Sequence, residues 1–181
     1  MSQEYIVLVA GPMGAGKTTA IAALSEIPVV RTEARNTDLA RHSKALTTVA
    51  LDYGEITLSG HDKVRLYGVP GQDRFDFMWK ILERRALGLM LLLDNAAPDP
   101  IGDLDRYLKV FADLDQRGAM VIGVTRTDVN PQPDTETYNE RLRESGRVLP
   151  VFALDAREPR QVCTLLGTLV ALVEARATTV V

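Results

Sequence analysis

The stretch GPMGAGKT, Gly11 to Thr18, carries the densest chemistry in the chain. It satisfies G-x-x-x-x-G-K-[ST], in which each residue type answers to a phosphate chain. Glycines let consecutive backbone amides turn inward around anionic oxygens. A helix starting directly behind the loop adds its positive dipole end. Lys17 supplies a point charge for the β- and γ-phosphates, and the Thr18 hydroxyl is a hard oxygen suited to magnesium. Gly11, Met13, Gly14, Ala15, Gly16, Lys17, Thr18 and Thr19 are the candidate phosphate-binding residues, with Lys17 also a candidate catalytic group. Purine nucleotide binding follows; the loop alone does not choose ATP or GTP.

Such a loop needs a strand before it and a helix after it. EYIVLVA, residues 4–10, is a short β-rich apolar run, and KTTAIAALSEI reads as a helix ended by Pro28. Residues 31–48 are polar, rich in arginine and lysine, and without clear periodicity, which predicts a long functional loop. TVALDYGEITL and KVRLYGV read as two strands joined around SGHD, an antiparallel hairpin. GQDRFDFMWKILERRA is a loop running into a helix, and LGLMLLLD is a buried strand. In PIGDLDRYLKVFADLDQRG, Ile101, Leu104, Leu108 and Phe111 share one face of a single helix stopped by Gly118. AMVIGVT is a strand, DTETYNERLRESG a polar helix and LPVFALD the last strand. The closing helix carries an apolar stripe of Val162, Leu165, Leu166, Leu169, Val170 and Val173. Strands alternating with helices predict an α/β fold of P-loop NTPase type: a six-stranded, mainly parallel sheet with one antiparallel edge strand and helices on both faces. The whole chain, 1–181, is expected to be one domain.

With 46% apolar and 25% charged residues and a net charge of −3, the composition is that of a soluble globular protein. No bulk basicity argues for nucleic acid or an anionic membrane surface. The single cysteine, Cys163, excludes an internal disulfide and is expected in the core. No leader, anchor or lipidation is expected: Ser2 stands where myristoylation needs glycine, and the last residues hold no prenylatable cysteine. The expectation is a cytoplasmic protein whose membrane contacts come through partners.

In the order GPMGAGKTT, TTVALDYG, GVPGQDRFDF, TRTD and DAR, the chain resembles a Ras-like small GTPase over nearly its whole length. The hairpin and the Pro-Gly-Gln segment are most similar to the prokaryotic MglA-like branch, bacterial GTPases commonly paired with small Roadblock-fold (MglB-type) proteins. The resemblance implies a small G-domain that binds GTP or GDP with Mg2+ and hydrolyses GTP slowly. It implies signalling to protein regulators and effectors through loops 31–48 and 68–78, with no nucleic acid partner and no direct membrane anchor. In TRTD, which replaces Asn-Lys-x-Asp, Asp128 accepts hydrogen bonds from the N1–H and exocyclic amine of guanine. Adenine presents an acceptor at N1, so the carboxylate discriminates against it. Arg126 can lay its stem and flat guanidinium against the base. Thr125 lacks the amide that ties this loop to the phosphate loop, which implies weaker affinity. A turn or cap aspartate is the competing role for Asp128. The segment Asp155-Ala156-Arg157 stands for Ser-Ala-Lys, in which the alanine amide meets the guanine oxygen. Asp155 is also a candidate N-cap of the last helix.

The family's metal-loop aspartate is replaced by Gly68. With a hairpin turning about Gly60, Asp52 faces Gly68 across the ladder, at roughly 5 Å. Asp52 lies four residues after Thr48, on the same strand face. Thr18, Thr48 and Asp52 are therefore the candidate magnesium residues, with Asp52 outer-sphere; a solvated carboxylate or a partner for Arg65 are its other roles. Thr48, with Thr47 beside it, is the candidate switch threonine. Gly68 also permits a peptide flip.

Gln72, directly after Gly71, holds the position of the water-orienting glutamine, and both belong to the candidate site. Met13 occupies the point where a partner's arginine finger would enter and should crowd it. Arg31, Arg35, Arg41 and Arg74 lie in or beside the switch loops, and none is singled out. Phe75, Phe77, Met78 and Trp79 divide between core and partner surface. Two rivals stand against the GTPase switch: a pseudo-GTPase scaffold with little hydrolysis, and a small ATP-dependent kinase.

Overall fold

The computed structural model describes residues 3–35, 48–58, 61–71 and 76–179. Along them run β1 (Glu4–Ala10), α1 (Lys17–Leu24), β2 (Val30–Arg35), β3 (Thr48–Thr57), β4 (Lys63–Gly68), α2 (Asp76–Glu83) and β5 (Gly88–Asp94). Then follow α3 (Pro100–Val110), α4 (Ala112–Gln116), β6 (Met120–Thr125), α5 (Thr135–Glu144), β7 (Val151–Ala153) and α6 (Pro159–Thr179). The strands form a seven-stranded sheet in the order β2-β3-β4-β1-β5-β6-β7. Among the described strands β3 is the reversed one, antiparallel to β2 and β4; β4, β1, β5, β6 and β7 are mutually parallel. This is a mixed α/β architecture of P-loop NTPase type.

The apolar runs of β1, β5 and β6 sit at the centre because successive side chains enter opposite cores. Leu8 and Leu91 point into one core with Trp79, Tyr107, Phe111 and Tyr138 from the helices on that face. Val7, Val9 and Leu92 point into the other, against Ile21 and Leu24 of α1 and Leu165 and Leu169 of α6. Each such aliphatic side chain contributes about 1.5–3 kcal/mol when fully buried. The sheet thereby gathers the C-terminal ends of β1, β5, β6 and β7 at one pole, where the candidate loops emerge.

Four expectations are corrected. First, the sheet has seven strands, and the antiparallel strand β3 is internal, because β2 pairs outside it from Val30↔Tyr53 to Arg35↔Thr48. All of β2 but Val30 lies in the stretch 31–48 expected to be a loop. An edge strand needs ladder hydrogen bonds rather than two apolar faces, and charged residues suit an edge. Second, residues 100–116 form two helices, not one. The backbone breaks at Phe111 (φ −101°, ψ 42°), whose buried ring stacks 5.8 Å from Trp79. Third, α1 ends at Leu24, ahead of Pro28. Ser25 turns extended, and its Oγ donates to the Ile27 carbonyl and accepts from the Glu55 amide. Fourth, Cys163 is exposed, one residue off the buried stripe of Val162, Leu165, Leu166 and Leu169. By length and composition α6 could cross a membrane, but that stripe packs against the sheet.

Candidate nucleotide-binding site

The phosphate loop connects β1 to α1. Gly11, Gly14 and Gly16 all have positive φ, at 146°, 87° and 92°. At Gly16 a side chain would be strained by the backbone and would also lie 3.0 Å from the Ala156 methyl. This left-handed residue starts α1 with no side-chain cap and no acidic residue in the first turn. The leading helix amides are thus left to an anion rather than to a carboxylate. Lys17 lies across the loop, its Nζ donating to the carbonyls of Gly11 at 2.7 Å and Pro12 at 2.8 Å. Burial pushes the Lys17 ammonium down to about 8, opposed by the nearby Asp52 carboxylate. Thr18 and Thr19 are exposed at the loop's mouth, as is Met13, 75% accessible.

Asp52 stands opposite Gly68 in the β3–β4 ladder, the pairing expected from the sequence. Its carboxylate accepts a hydrogen bond from the Thr18 hydroxyl, and Arg31 Nε lies 3.8 Å away. Arg65 pairs with Glu4 at 2.8 Å, so it is not the partner of Asp52. A Cβ on Gly68 would meet Ile21 Cδ1 at 2.9 Å and Asp52 Cβ at 3.1 Å. The glycine makes room for α1 and for the carboxylate opposite. A hydroxyl and a carboxylate meeting beside the phosphate loop are the hard oxygens that suit a hydrated magnesium ion. No group of three or more His, Cys, Asp or Glu among the described residues could hold a metal by itself, so phosphate oxygens would complete such a site. The Thr48 side chain, Thr47, Arg41 and Arg74 lie outside the described residues, as does the Arg35 side chain.

Gly71 lies against the phosphate loop: a Cβ there would be 2.7 Å from Met13 N and 2.8 Å from Gly11 O. Gln72 and Phe75 fall outside the described residues, as do the side chains of Phe77 and Met78. Trp79 belongs to the core, 1% exposed and stacked against both Tyr107 and Phe111.

A cavity of about 510 Å³ joins the phosphate loop to the loops after β6 and β7. Gly14, Gly16 and Thr19 line it from the phosphate loop; Asp128, Ala156 and Arg157 line it from the loops after β6 and β7. Thr125 is buried, and its hydroxyl lies 3.0 Å from the Ala15 carbonyl and 3.1 Å from that of Leu93. The tie between base loop and phosphate loop, expected to be lost, is made by this hydroxyl in place of an amide. Arg126 adopts a left-handed backbone (φ 59°) and ion-pairs with Asp94 at 2.9 Å, so its head is anchored while the residue lines the cavity. Asp155 does not cap α6, which begins four residues later at Pro159. Its carboxylate instead accepts from the Arg157 amide at 2.9 Å and from the Arg157 guanidinium at 2.7 Å. These bonds hold the Asp155 carboxyl down at about 2.

Sequence reasoning missed Asp94 and Asn95. Asp94 lies beside Thr125 in the ladder. Fully buried Asn95 donates through Nδ2 to the Asn130 carbonyl at 2.6 Å and accepts from the Tyr138 hydroxyl at 2.7 Å. These bonds fasten the base loop to α5. The signal was an Asp-Asn pair ending an otherwise apolar strand, level with the loop it supports.

Comparison with known proteins agrees with this geometry. The chain is 28% identical over 124 residues to intraflagellar transport protein 22 of Chlamydomonas reinhardtii, which covers 65% of this chain and 60% of that protein. It is also 28% identical over 136 residues to an uncharacterized protein of Methanocaldococcus jannaschii, covering 75% and 79% respectively. The chain thus spans less than two thirds of the intraflagellar relative. Residues 9–179 match a nucleotide-binding family of P-loop type, and the chain belongs to that family, described as conserved hypothetical ATP binding protein.

Proposed function

We propose that this protein is a guanine-nucleotide switch that binds GTP with magnesium and hydrolyses it slowly to GDP. The observation that carries the reading is the cavity in which the phosphate loop faces Asp128 and Ala156. Phosphates would take over the hydrogen bonds that Lys17 gives to Gly11 and Pro12, while the open start of α1 receives the α- and β-phosphates. Asp128 accepts from the guanine N1–H and amine, the Ala156 amide donates to the guanine oxygen, and the Arg126 stem lies along the base. Thr18, with Asp52 and Thr48, would hold magnesium, which would supply neutralising charge to the phosphates. Gln72 orients the attacking water. Exposed Met13 crowds an arginine supplied from outside, so hydrolysis runs at about 10⁻³ per second or slower without a regulator.

In this reading the chain is an MglA-like cytoplasmic switch. A Roadblock-fold protein of MglB type is among its regulators, and membranes are reached through partners. The family's description favours a second reading, an ATP-binding protein. Competition calorimetry with GTP and ATP decides between them: the guanine reading expects GTP to bind at least about tenfold more tightly. Equal or tighter ATP binding overturns it. Single-turnover hydrolysis with and without a Roadblock protein then separates a switch from a nucleotide-binding scaffold.

A further inference from the structure

Three arginines converge at the opposite pole of the sheet, where the parallel strands begin. Arg85 precedes β5, Arg117 precedes β6 and Arg176 lies near the end of α6; all three line a second cavity of about 350 Å³. Its apolar lining includes Ile6, Leu87 and Val173. Two of the guanidiniums are held in place by neutral acceptors. Arg117 donates through Nη2 to the carbonyls of Glu83 at 3.2 Å and Ala86 at 3.4 Å. Arg176 Nη1 donates to the Arg117 carbonyl at 3.2 Å. The Arg176 guanidinium lies against Gly118 so closely that a Cβ there would be 1.9 Å from its Cζ.

Backbone carbonyls orient these groups without neutralising them. Among the described residues, none of the three forms an ion pair within 4.0 Å of a carboxylate, whereas Arg65, Arg126, Arg141, Arg147 and Arg157 all do. Glu4, which also lines the cavity, is engaged by Arg65 at 2.8 Å. The buried Glu83 carboxylate accepts from the Leu114 amide at 3.0 Å. In a chain of net charge −3, a recess with three guanidiniums over an apolar floor, none of them ion-paired within 4.0 Å and Arg117 alone of the three shown within electrostatic reach of a carboxylate, that of Glu83, is a local exception among the described residues.

We infer that this recess docks an acidic peptide segment of a partner protein, its carboxylates taken by Arg85, Arg117 and Arg176 and an aliphatic side chain seated on Ile6, Leu87 and Val173. Guanidinium forks match carboxylates in a bidentate manner. The cavity volume falls within the range of specific sites. A nucleic acid would need a wider basic field than this acidic chain offers. The recess lies at the end of the sheet away from the phosphate loop, so docking does not depend on the nucleotide reading.

The test is fluorescence anisotropy on the full chain with a labelled short peptide of leucine and glutamate, beside its glutamine counterpart and phosphatidylserine vesicles. The variant is Arg85→Glu with Arg176→Glu; Arg117 is left intact because it ties backbone carbonyls. The expected result is salt-sensitive binding of the glutamate peptide, weakened about tenfold or more in the variant, with nucleotide affinity unchanged and a small loss of melting temperature from the broken Arg176–Arg117 carbonyl bond. The pair Arg85→Lys with Arg176→Lys should retain part of the binding, and the Arg Nε–Hε resonances of the wild type should shift on titration. Equal binding of the glutamine peptide, undiminished binding by the charge-reversed variant, binding of vesicles only, or no binding overturns the proposal.

Discussion

The two halves of the nucleotide cavity are built by different means. The phosphate half is made of backbone: three glycines of positive φ and a helix start left free of acidic side chains. The base half is made of side chains held by hydrogen bonds and ion pairs: Thr125 on the Ala15 carbonyl, Arg126 on Asp94, Arg157 on Asp155, and Asn95 on the Asn130 carbonyl and the Tyr138 hydroxyl. A backbone cradle tolerates little change, because only glycine suits its dihedral angles. A side-chain scaffold can change its parts if the hydrogen bonds are still made. That is why the phosphate loop fits its motif at every fixed position, while TRTD and DAR each depart from theirs and still line the same cavity.

The sharpest way to break this contrast is to remove the base-half side chain assigned hydrogen bonds to the base. Asp128→Ala should weaken GTP binding about a hundredfold, the equivalent of about 3 kcal/mol for two bonds to a carboxylate, and leave ATP binding unchanged. Parallel calorimetric titrations read this directly. An equal loss for both nucleotides would make Asp128 a structural aspartate of its turn.

How much of this was legible depended on which kind of interaction carried it. The central strands and the phosphate loop were readable, since their signals are contiguous: an apolar run, then glycines, then Lys-Thr. The β3–β4 register was readable from the hairpin's centre, which set Asp52 opposite Gly68. The edge strand β2 was not, because a strand with one neighbour needs no apolar alternation. The break at Phe111 was not, because the spacing of apolar residues is the same in one helix as in two; the ring's stacking on Trp79 and Tyr107 exists only in the folded core. Nor was the hydroxyl tie at Thr125, since a motif records the residue expected and not the contact it makes.

Two smaller perturbations sharpen the contrast from each side. On the phosphate side, Asp52→Asn removes the charge beside Thr18 while keeping a polar group of the same size. It should weaken magnesium-dependent nucleotide binding about tenfold, with binding in chelator unaffected. Titration of nucleotide affinity against magnesium concentration checks it, and an unchanged magnesium midpoint would remove Asp52 from the metal site. On the base side, Thr125→Val keeps the shape and deletes the donor, leaving the buried Ala15 carbonyl without it. The expected loss is about 1 kcal/mol of stability, with GTP binding about fivefold weaker, visible together in a denaturation series and a binding isotherm. Loss of affinity without loss of stability would mean that the hydroxyl acts on the ligand rather than on the loop.

The smallest expected effect concerns the proton on Lys17. Burial holds this ammonium at about 8 in the nucleotide-free fold, against 10.5 for a lysine in water. The unfolded chain therefore binds more protons between these values, and stability should rise as pH climbs from about 8 towards 10.5. Below about 8 the cost of the buried charge is fully present. Denaturation midpoints of nucleotide-free protein, compared with Lys17→Met over that window, isolate the slope from other titrations. Bound phosphates raise the ammonium again, so nucleotide binding near pH ~9 should take up a fraction of a proton, seen as a dependence of binding enthalpy on the buffer's ionisation enthalpy. A wild-type slope no steeper than that of Lys17→Met would mean that the lysine does not rest on the Gly11 and Pro12 carbonyls in solution but stands in water until the phosphates arrive.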